Sequence, residues 1–339
     1  MRGWLNIIVV FILLLGFILK PLPIKQSFGR RVYVGETKFN VRKYQVDHHD
    51  FNVYFSEKDD KERIVEWNDQ KLYIRDAVEF YPPNENGDWI MRCVNLSKDF
   101  GMDFKHAMYA LKGGSKMYFY PDGSLALFEL AHPSEWEYDK TLLPLKAGTH
   151  VELYENGLLK EAFIRQNTLY YTGRENYTFS LLEGGRIAYY ENGVPRMLSI
   201  QDISKYPLGE EEVLWKPHEN ERHMFYDEGD IGFHKNWNIA WGYPAHLLTF
   251  QIQDKPLFIK SGERTFFFDS GFIRYGILNN GFDYETKYGI LPLEKNKPVA
   301  FYENGQLARG ILSKTTKVDE FVYPRGFELR FAENGELIR

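Results

Sequence analysis

The sequence predicts an all-β fold: an antiparallel array of β-hairpin repeats that follow one another as a meander, preceded by an N-terminal hydrophobic helix. Three observations predict the array. A hairpin signature recurs eight times, aromatic residues make up 17% of the 339 residues, and long helical periodicity is hard to find. Aromatic side chains suit pleated, half-buried surfaces. A fixed repeat period indicates units that bury their apolar faces against their neighbours.

The repeated signature is an aromatic residue, a short polar turn ending in glycine, and an aliphatic residue two positions further on. The turn glycines of the six clear copies are Gly123, Gly157, Gly193, Gly271, Gly305 and Gly335. Two copies are degenerate: one carries Trp237 in place of the glycine, and another has extra residues between Phe80 and Gly87. We interpret the glycines as structural, because a recurrent turn glycine meets a backbone requirement.

The spacing of these turns predicts the organisation of the chain. Successive turns from Gly87 to Gly193 lie 36, 34 and 36 residues apart, and those from Trp237 to Gly335 lie 34, 34 and 30 apart. The step from Gly193 to Trp237 is 44, so about ten residues are inserted there. We predict a signal peptide or membrane anchor at 1–27, an N-terminal β segment at 28–75, repeats one to four at 76–200, an acidic insertion at 201–230, and repeats five to eight at 231–339.

The turn residues also predict a strand register. Pro121 suits the first central position of a type I turn, which places Gly123 in the left-handed conformation of a G1 bulge. This three-residue loop pairs Phe119 with Leu125, and the equivalent residues in the other copies. A two-residue Asn-Gly turn would shift the pairing by one position. The proline favours the first register.

The N-terminus predicts a membrane-directed segment. Residues 4–19 carry no charge and follow Arg2, as in a secretory signal or a short membrane anchor. We expect an exported or membrane-anchored protein of the cell envelope. Basic residues after the apolar run, at Lys20, Lys25 and Arg30, would instead keep the domain in the cytoplasm by the positive-inside rule, and that orientation stays open.

Composition argues against several classes of function. The net charge of −5 provides no basic face, so nucleic acid is not the expected partner. Cys93 is the single cysteine, which suits a small core residue and excludes an internal disulfide. The spacing of His218 and His223 does not match the two-histidine zinc motif, in which the histidines are four apart on a helix. We expect no cofactor, metal ion or catalytic residue, and a monomer.

The acidic insertion and its surroundings hold the candidate binding residues, because long loops on a rigid scaffold carry many binding sites. The candidates are Trp215, His218, His223, Trp237 and Trp241. The tryptophans suggest an aromatic platform for a sugar or a peptide. The alternative is a drifted repeat whose tryptophans are structural.

The element Tyr/Phe-x-Asn-Gly-x-Leu resembles the MORN-variant repeats of bacterial proteins. It occurs at Tyr154, Asn156, Gly157 and Leu159, at Tyr302, Asn304, Gly305 and Leu307, and at Phe331, Asn334, Gly335 and Leu337. The resemblance covers 76–339, although the period is near 34 residues instead of a little over 20. It implies a hairpin scaffold for protein contacts or envelope association, with no catalytic residues.

We therefore expect a non-enzymatic scaffold that binds a protein or an envelope glycan. One alternative is a glycan-binding or glycan-cleaving protein that uses Glu219, Glu221 or Asp227 beside the tryptophans. Another is an antitoxin-like or immunity-like partner protein.

Overall fold

The computed structural model describes residues 25–34, 36–45, 52–56, 61–104, 107–138, 141–172, 174, 177–218 and 229–338. All regular elements in these residues are β-strands, so the all-β prediction is confirmed. The predicted N-terminal helix falls in residues 1–24, outside the described part. The described residues contain no helix with the length and hydropathy needed to cross a membrane.

The chain divides into two compact units. Unit 1 comprises Met1–Ala131 and Glu155–Gly157, and unit 2 comprises His132–Tyr154 and Leu158–Arg339. The strands of unit 1 are β1 (Lys25–Val34), β2 (Thr37–Gln45), β3 (Asn52–Ser56), β4 (Arg63–Trp67), β5 (Gln70–Phe80), β6 (Met91–Leu96), β7 (Phe100–Phe104), β8 (Ala107–Leu111), β9 (Lys116–Phe119) and β10 (Leu125–Glu129).

In unit 1 the strands β1, β2, β3, β5, β6, β9 and β10 pair in that order, all antiparallel. The first half of the long strand β5 pairs with β4 instead of β3. Strands β7 and β8 form a separate two-stranded hairpin.

Unit 2 repeats this arrangement with two kinds of hairpin. The strands that pair in succession into one antiparallel ladder are β13 (His150–Leu153), β14 (Leu159–Phe163), β17 (Arg186–Tyr189), β18 (Pro195–Leu198), β21 (Ile231–Phe233), β22 (Ile239–Gly242), β25 (Thr265–Phe267), β26 (Ile273–Ile277), β29 (Pro298–Phe301), β30 (Leu307–Ile311) and β33 (Glu328–Arg330). We call the hairpins of this ladder, such as β29/β30, sheet hairpins.

The remaining strands of unit 2 form separate two-stranded hairpins, which we call cover hairpins. They are β11 (Ser134–Tyr138) with β12 (Thr141–Leu145), β15 (Thr168–Tyr171) with β16 (Thr178–Leu181), β19 (Ser204–Leu208) with β20 (Glu211–Trp215), β23 (Leu248–Ile252) with β24 (Lys255–Ile259), β27 (Phe282–Thr286) with β28 (Gly289–Leu293), and β31 (Thr316–Val318) with β32 (Phe321–Tyr323). Each repeat thus contributes one hairpin of each kind.

The predicted register of the sheet hairpins is confirmed. Phe119 pairs with Leu125, and Phe301 pairs with Leu307. In the turn of the latter hairpin, the N–H of Gly305 donates to the carbonyl of Tyr302, and Gly305 has φ of 81°. This is the expected type I turn followed by a residue in the left-handed conformation.

A second column of tight turns lies nine residues before the sheet-hairpin turns. It consists of Gly114, Gly148, Gly184, Gly262, Asn296 and Gly326, all with positive φ. The N–H of Gly262 donates to the carbonyl of Pro244, and that of Asn296 donates to Leu278, which lies in the preceding repeat. These turns therefore tie each repeat to the one before it.

Tyrosine hydroxyls form another regular link between repeats. Tyr154 donates its hydroxyl to the carbonyl of Tyr189, Tyr190 to Phe233, and Tyr302 to Phe331, over 2.8–2.9 Å. His234 takes the tyrosine's place in the degenerate copy, with its Nε2 3.1 Å from the carbonyl of Phe267. This hydrogen bond explains why tyrosine is the commonest residue at the second aromatic position of the signature.

The tyrosine column predicts a matched pair of substitutions. Tyr302→Phe removes one partly buried hydrogen bond and should lower the free energy of unfolding by about 1 kcal/mol. Phe268 occupies the equivalent position in the preceding repeat but carries no hydroxyl. Phe268→Tyr should therefore raise the stability, by up to about 1 kcal/mol. Denaturant midpoints measure both changes, and equal midpoints for all three proteins would contradict the role of the hydroxyl.

The core of unit 2 lies between the ladder and the cover hairpins. Aromatic rings pair across it at Tyr138–Tyr189, Phe179–Phe233, Trp215–Phe267 and Tyr284–Phe301, with ring centroids 4.3, 5.8, 5.7 and 6.1 Å apart. Burying each large side chain contributes roughly 1.5–3 kcal/mol. Alternate residues of a strand point to opposite faces of a sheet. Within the residues that the structure describes, no cover hairpin packs on the opposite face of the ladder.

The extra residues of the middle repeat lie after Trp215. Cover hairpin β19/β20 is regular, although it falls within the predicted insertion at 201–230. Strand β12 ends at Leu145 and β13 begins at His150, whereas β20 ends at Trp215 and β21 begins at Ile231. Part of this longer connection, at 219–228, lies outside the described residues.

Candidate functional site

Trp215, a predicted binding residue, belongs to the core. Its side chain is fully buried, its indole N–H donates to the carbonyl of Tyr206 over 3.0 Å, and its ring packs edge-on against Phe267. A buried ring with a satisfied N–H has the properties of a structural tryptophan. Trp215 presents no surface to a ligand.

Trp237 occupies the turn position at the tip of sheet hairpin β21/β22. It has φ of 71°, so a bulky residue holds the left-handed conformation that glycine holds in the other copies. This conformation costs about 1–2 kcal/mol in an ordinary residue. The carbonyl of Trp237 accepts the hydroxyl of Tyr206, and its half-buried ring lies edge-on to Phe233.

The two histidines are not brought together in the described structure. The exposed His218 packs its ring 4.6 Å from the ring of Tyr243, and its backbone N–H donates to Asp230. His223 lies outside the described residues, as do Glu219, Glu221 and Asp227. Within the described part of the chain, no three His, Cys, Asp or Glu residues are grouped in a way that could hold a metal ion.

Trp241 belongs to a distinctive feature of the uncovered face of the ladder. It pairs with Gly232 on one side and with Phe266 on the other, and Phe266 pairs in turn with Tyr275. The rings of Phe266 and Tyr275 meet edge to face at 5.9 Å. Three aromatic side chains from β22, β25 and β26 thus lie side by side across neighbouring strands.

Two arginines stack on these rings. The guanidinium carbon of Arg264 lies 4.0 Å from the ring centre of Trp241 and 5.2 Å from that of Phe266. The guanidinium carbon of Arg309, on β30, lies 5.3 Å from the ring centre of Tyr275. We call Trp241, Arg264, Phe266, Tyr275 and Arg309 the arginine–aromatic row. All five side chains are partly exposed.

Trp241 has two close neighbours. A Cβ atom on Gly232 would lie only 2.1 Å from the indole nitrogen, so the indole rests directly on the glycine backbone. The guanidinium of Arg264 stacks on the ring. A nucleic acid base or a sugar ring stacks on an open aromatic face, and Arg264 already occupies part of this one.

The ladder strands that carry and flank the row contain more basic than acidic residues. Strands β22, β25, β26, β29, β30 and β33 contain three arginines and one acidic residue, Glu328. Glu328 lies 3.7 Å from Arg309. The cover hairpins of unit 2 contain six acidic residues and three lysines. These six strands of the ladder and the cover hairpins therefore differ in charge.

A concave feature lies between cover hairpins β15/β16 and β19/β20. This open groove has a volume of about 620 Å³ and is lined by residues including Leu169, Tyr177, Asp202, Lys205 and Glu212. Hydrogen bonds from Lys205 and Tyr177 lower the pKa of Glu212. A glycosidase acid needs a raised pKa, so Glu212 does not fit that role.

Cys93 is buried, as expected for a core residue. Burial, reinforced by the nearby Glu79, raises the pKa of the thiol from 9.0 to about 11. The thiol is therefore protonated at neutral pH, whereas a cysteine nucleophile acts as the thiolate.

Comparison with known proteins does not assign a function to this site. No family model matches the sequence, and no match was found among curated proteins. Function must therefore be inferred from the geometry of the chain itself.

Sequence reasoning identified Trp241 but missed its four partners in the row. Arg264, Phe266, Tyr275 and Arg309 come from different strands, and the register of the ladder brings them together. The signal that could have found them is the hairpin register itself, since it fixes which residues lie opposite each other once the turns are known.

Proposed function

We propose that this protein is a non-catalytic repeat scaffold that binds another protein through the uncovered face of its ladder. The arginine–aromatic row supports this proposal. Tryptophan, tyrosine and arginine are the residues most enriched at the energetic centres of protein interfaces. The row gathers all three on the face of the ladder that points away from the core.

The likeness to MORN-variant repeats is compatible with the same proposal. The hairpin array and its recurring Tyr-x-Asn-Gly turns are the features on which the likeness rests. That family includes proteins linked to the cell envelope and to antitoxin or immunity functions. We propose export or membrane anchoring for this chain on the basis of residues 1–27 alone; cell fractionation with a topology reporter fused after Arg339 tests it.

Affinity purification of the full chain tests the scaffold function. The wild-type protein is compared with a Trp241→Ala/Tyr275→Ala variant and with a control variant altered on a cover hairpin, Lys205→Ala. We expect a protein that co-purifies with the wild type and the control but not with the row variant. Thermal unfolding verifies that all three proteins are folded.

Two outcomes would count against the proposal. One is a set of co-purifying proteins that is identical for all three forms. The other is a glycan array that shows binding dependent on the groove residues Tyr177 and Asp202, which would support the glycan-binding alternative instead.

A further inference from the structure

The groove between two cover hairpins supports an inference that does not depend on the arginine–aromatic row. We infer that this groove binds a short segment of a partner protein in which an aliphatic side chain lies next to a lysine or an arginine. The groove lies between β15/β16 and β19/β20, and Leu169, Ser180 and Ile203 are among the residues that line it. The row lies on the ladder, so the groove would be a second binding site.

The groove is on the side of the cover hairpins that faces away from the core. Tyr170 and Phe179 are fully buried and pair with each other in β15/β16. Leu169 and Ser180 form the next pair of the same hairpin. Because successive residues of a strand point to opposite faces, the side chains of Leu169 and Ser180 point outward.

This outward pair differs from its counterparts in the other five cover hairpins. There a polar residue on the first strand pairs with an apolar residue on the second, as in Glu135–Pro144, Lys205–Leu214, Thr249–Phe258, Asp283–Pro292 and Lys317–Val322. In β15/β16 the order is reversed, with Leu169 on the first strand and Ser180 on the second. The small serine takes the place of a bulkier apolar side chain and leaves a hollow.

Two aliphatic side chains at the groove are exposed to solvent. Leu169 is 55% exposed, and Ile203, which immediately precedes β19, is 58% exposed. Exposed apolar side chains that flank a concave surface are typical of interaction sites. The departure from the repeat pattern at this place also suggests a functional reason, because local rules are most often broken at functional sites. The groove therefore suits an aliphatic side chain of a partner.

The charges beside the groove favour a basic partner. Asp202 lines the groove, and no hydrogen bond or ion pair joins its carboxylate to another residue of the described chain. Lys205 is the single basic residue of β19/β20, and it is already paired with Glu212. Glu210 and Glu211 lie on the same hairpin and add two negative charges. A lysine or arginine of the partner can therefore pair with Asp202.

Selection from a display library of random heptapeptides tests the inference on the full chain. Peptides are selected on the wild type and counter-selected on Ser180→Leu, which fills the hollow with the residue that the next cover hairpin carries as Leu214. We expect the enriched peptides to contain an aliphatic residue beside a lysine or an arginine. Thermal unfolding verifies that the variant is folded.

Fluorescence anisotropy with the most enriched peptide, labelled with a fluorophore, measures the contribution of each group. Leu169→Ser and Ile203→Ser should each weaken binding about tenfold, since each removes one aliphatic contact. Ser180→Leu should weaken it at least as much, because the space is filled. Asp202→Asn should weaken binding and reduce its dependence on salt.

Leu247→Ser is the matched control for Ile203→Ser. Leu247 immediately precedes β23, as Ile203 precedes β19, and it is 43% exposed. This control should bind the peptide as the wild type does. Equal affinity for the wild type and Ser180→Leu, or equal losses for Ile203→Ser and Leu247→Ser, would overturn the inference. A selection that enriches no peptide, or only peptides without the aliphatic–basic pair, would do the same.

The inference and the proposed function are tested separately. The Trp241→Ala/Tyr275→Ala variant should bind the peptide normally, even though it loses the protein partner of the row. Loss of peptide binding in this variant would place the peptide on the row and reject the groove. If the peptide binds in the groove as expected but no protein co-purifies through the row, the proposed function fails and the inference stands. Binding of a glycan that depends on Leu169 and Asp202, without binding of any peptide, would assign the groove to a carbohydrate and reject the inference.

Discussion

Trp215→Ala is expected to lower the free energy of unfolding by about 3–5 kcal/mol, the usual range for removing a large aromatic ring from a core. The ring is fully buried between the ladder and the cover hairpins. A Cβ on Gly242 would lie 2.7 Å from the ring, so the backbone of β22 already packs against it. This backbone can therefore move only a little into the cavity that the substitution leaves. The carbonyl of Tyr206 would also lose its indole donor.

The comparison with Trp237→Ala makes this prediction specific. Trp237 is half-buried at a hairpin tip, so its truncation should cost much less. Trp215→Phe keeps most of the volume and should have an intermediate effect. Urea unfolding followed by circular dichroism measures all three variants. A larger loss for Trp237→Ala than for Trp215→Ala would show that the two tryptophans have been assigned the wrong roles.

The structural role of Trp215 could have been predicted from the repeat. It ends a cover strand, at the same position as Leu145, Leu181, Ile259 and Leu293. In every case this residue forms a bridge to the sheet hairpin that follows, and Trp215 does so with Pro244. The last residues of the cover strands are spaced along the chain much as the turn residues of the sheet hairpins are. We predicted a binding role for Trp215 because it is a tryptophan near a long loop. Its position in the column instead indicates a core residue.

The sheet hairpins were predictable because their turns share one backbone conformation and similar residues. A residue in the left-handed conformation follows a type I turn in each copy, and glycine or the exceptional Trp237 marks the place. The tips of the cover hairpins vary more. Gln253 and Asp254 adopt positive φ at one tip, while Gly209 does so at another. No common residue pattern identifies these turns, so the second hairpin of each repeat was not apparent from the sequence.

The candidate site was harder to predict than the fold. Its members lie on strands that become neighbours only through the ladder: Trp241 and Phe266 pair although a complete cover hairpin separates them in the chain. Their side chains also face away from the core, where the repeat imposes no recurrent residue type. The row is therefore formed by residues particular to repeats five to seven. A consensus sequence of all the repeats does not contain it.

Gly232→Ala is expected to destabilise the protein by about 1–3 kcal/mol, the range for overpacking a tightly filled position. The added Cβ would lie 2.1 Å from the indole nitrogen of Trp241, so the ring must move. Because Arg264 stacks on this ring, the substitution should also displace the guanidinium and weaken binding at the row. Tryptophan fluorescence and urea unfolding measure the two structural effects.

A double-mutant cycle separates this clash from a general effect of removing a glycine. In the Trp241→Ala background the space above Gly232 is empty, so Gly232→Ala should cost little there. The interaction energy between the two substitutions is then large, as for residues in direct contact. Gly101→Ala is a suitable control, because the flexible end of Met108 is its nearest neighbour and can move aside. Additive effects of Gly232→Ala and Trp241→Ala would mean that the indole does not rest on Gly232, and the position of Arg264 above it would lose its support.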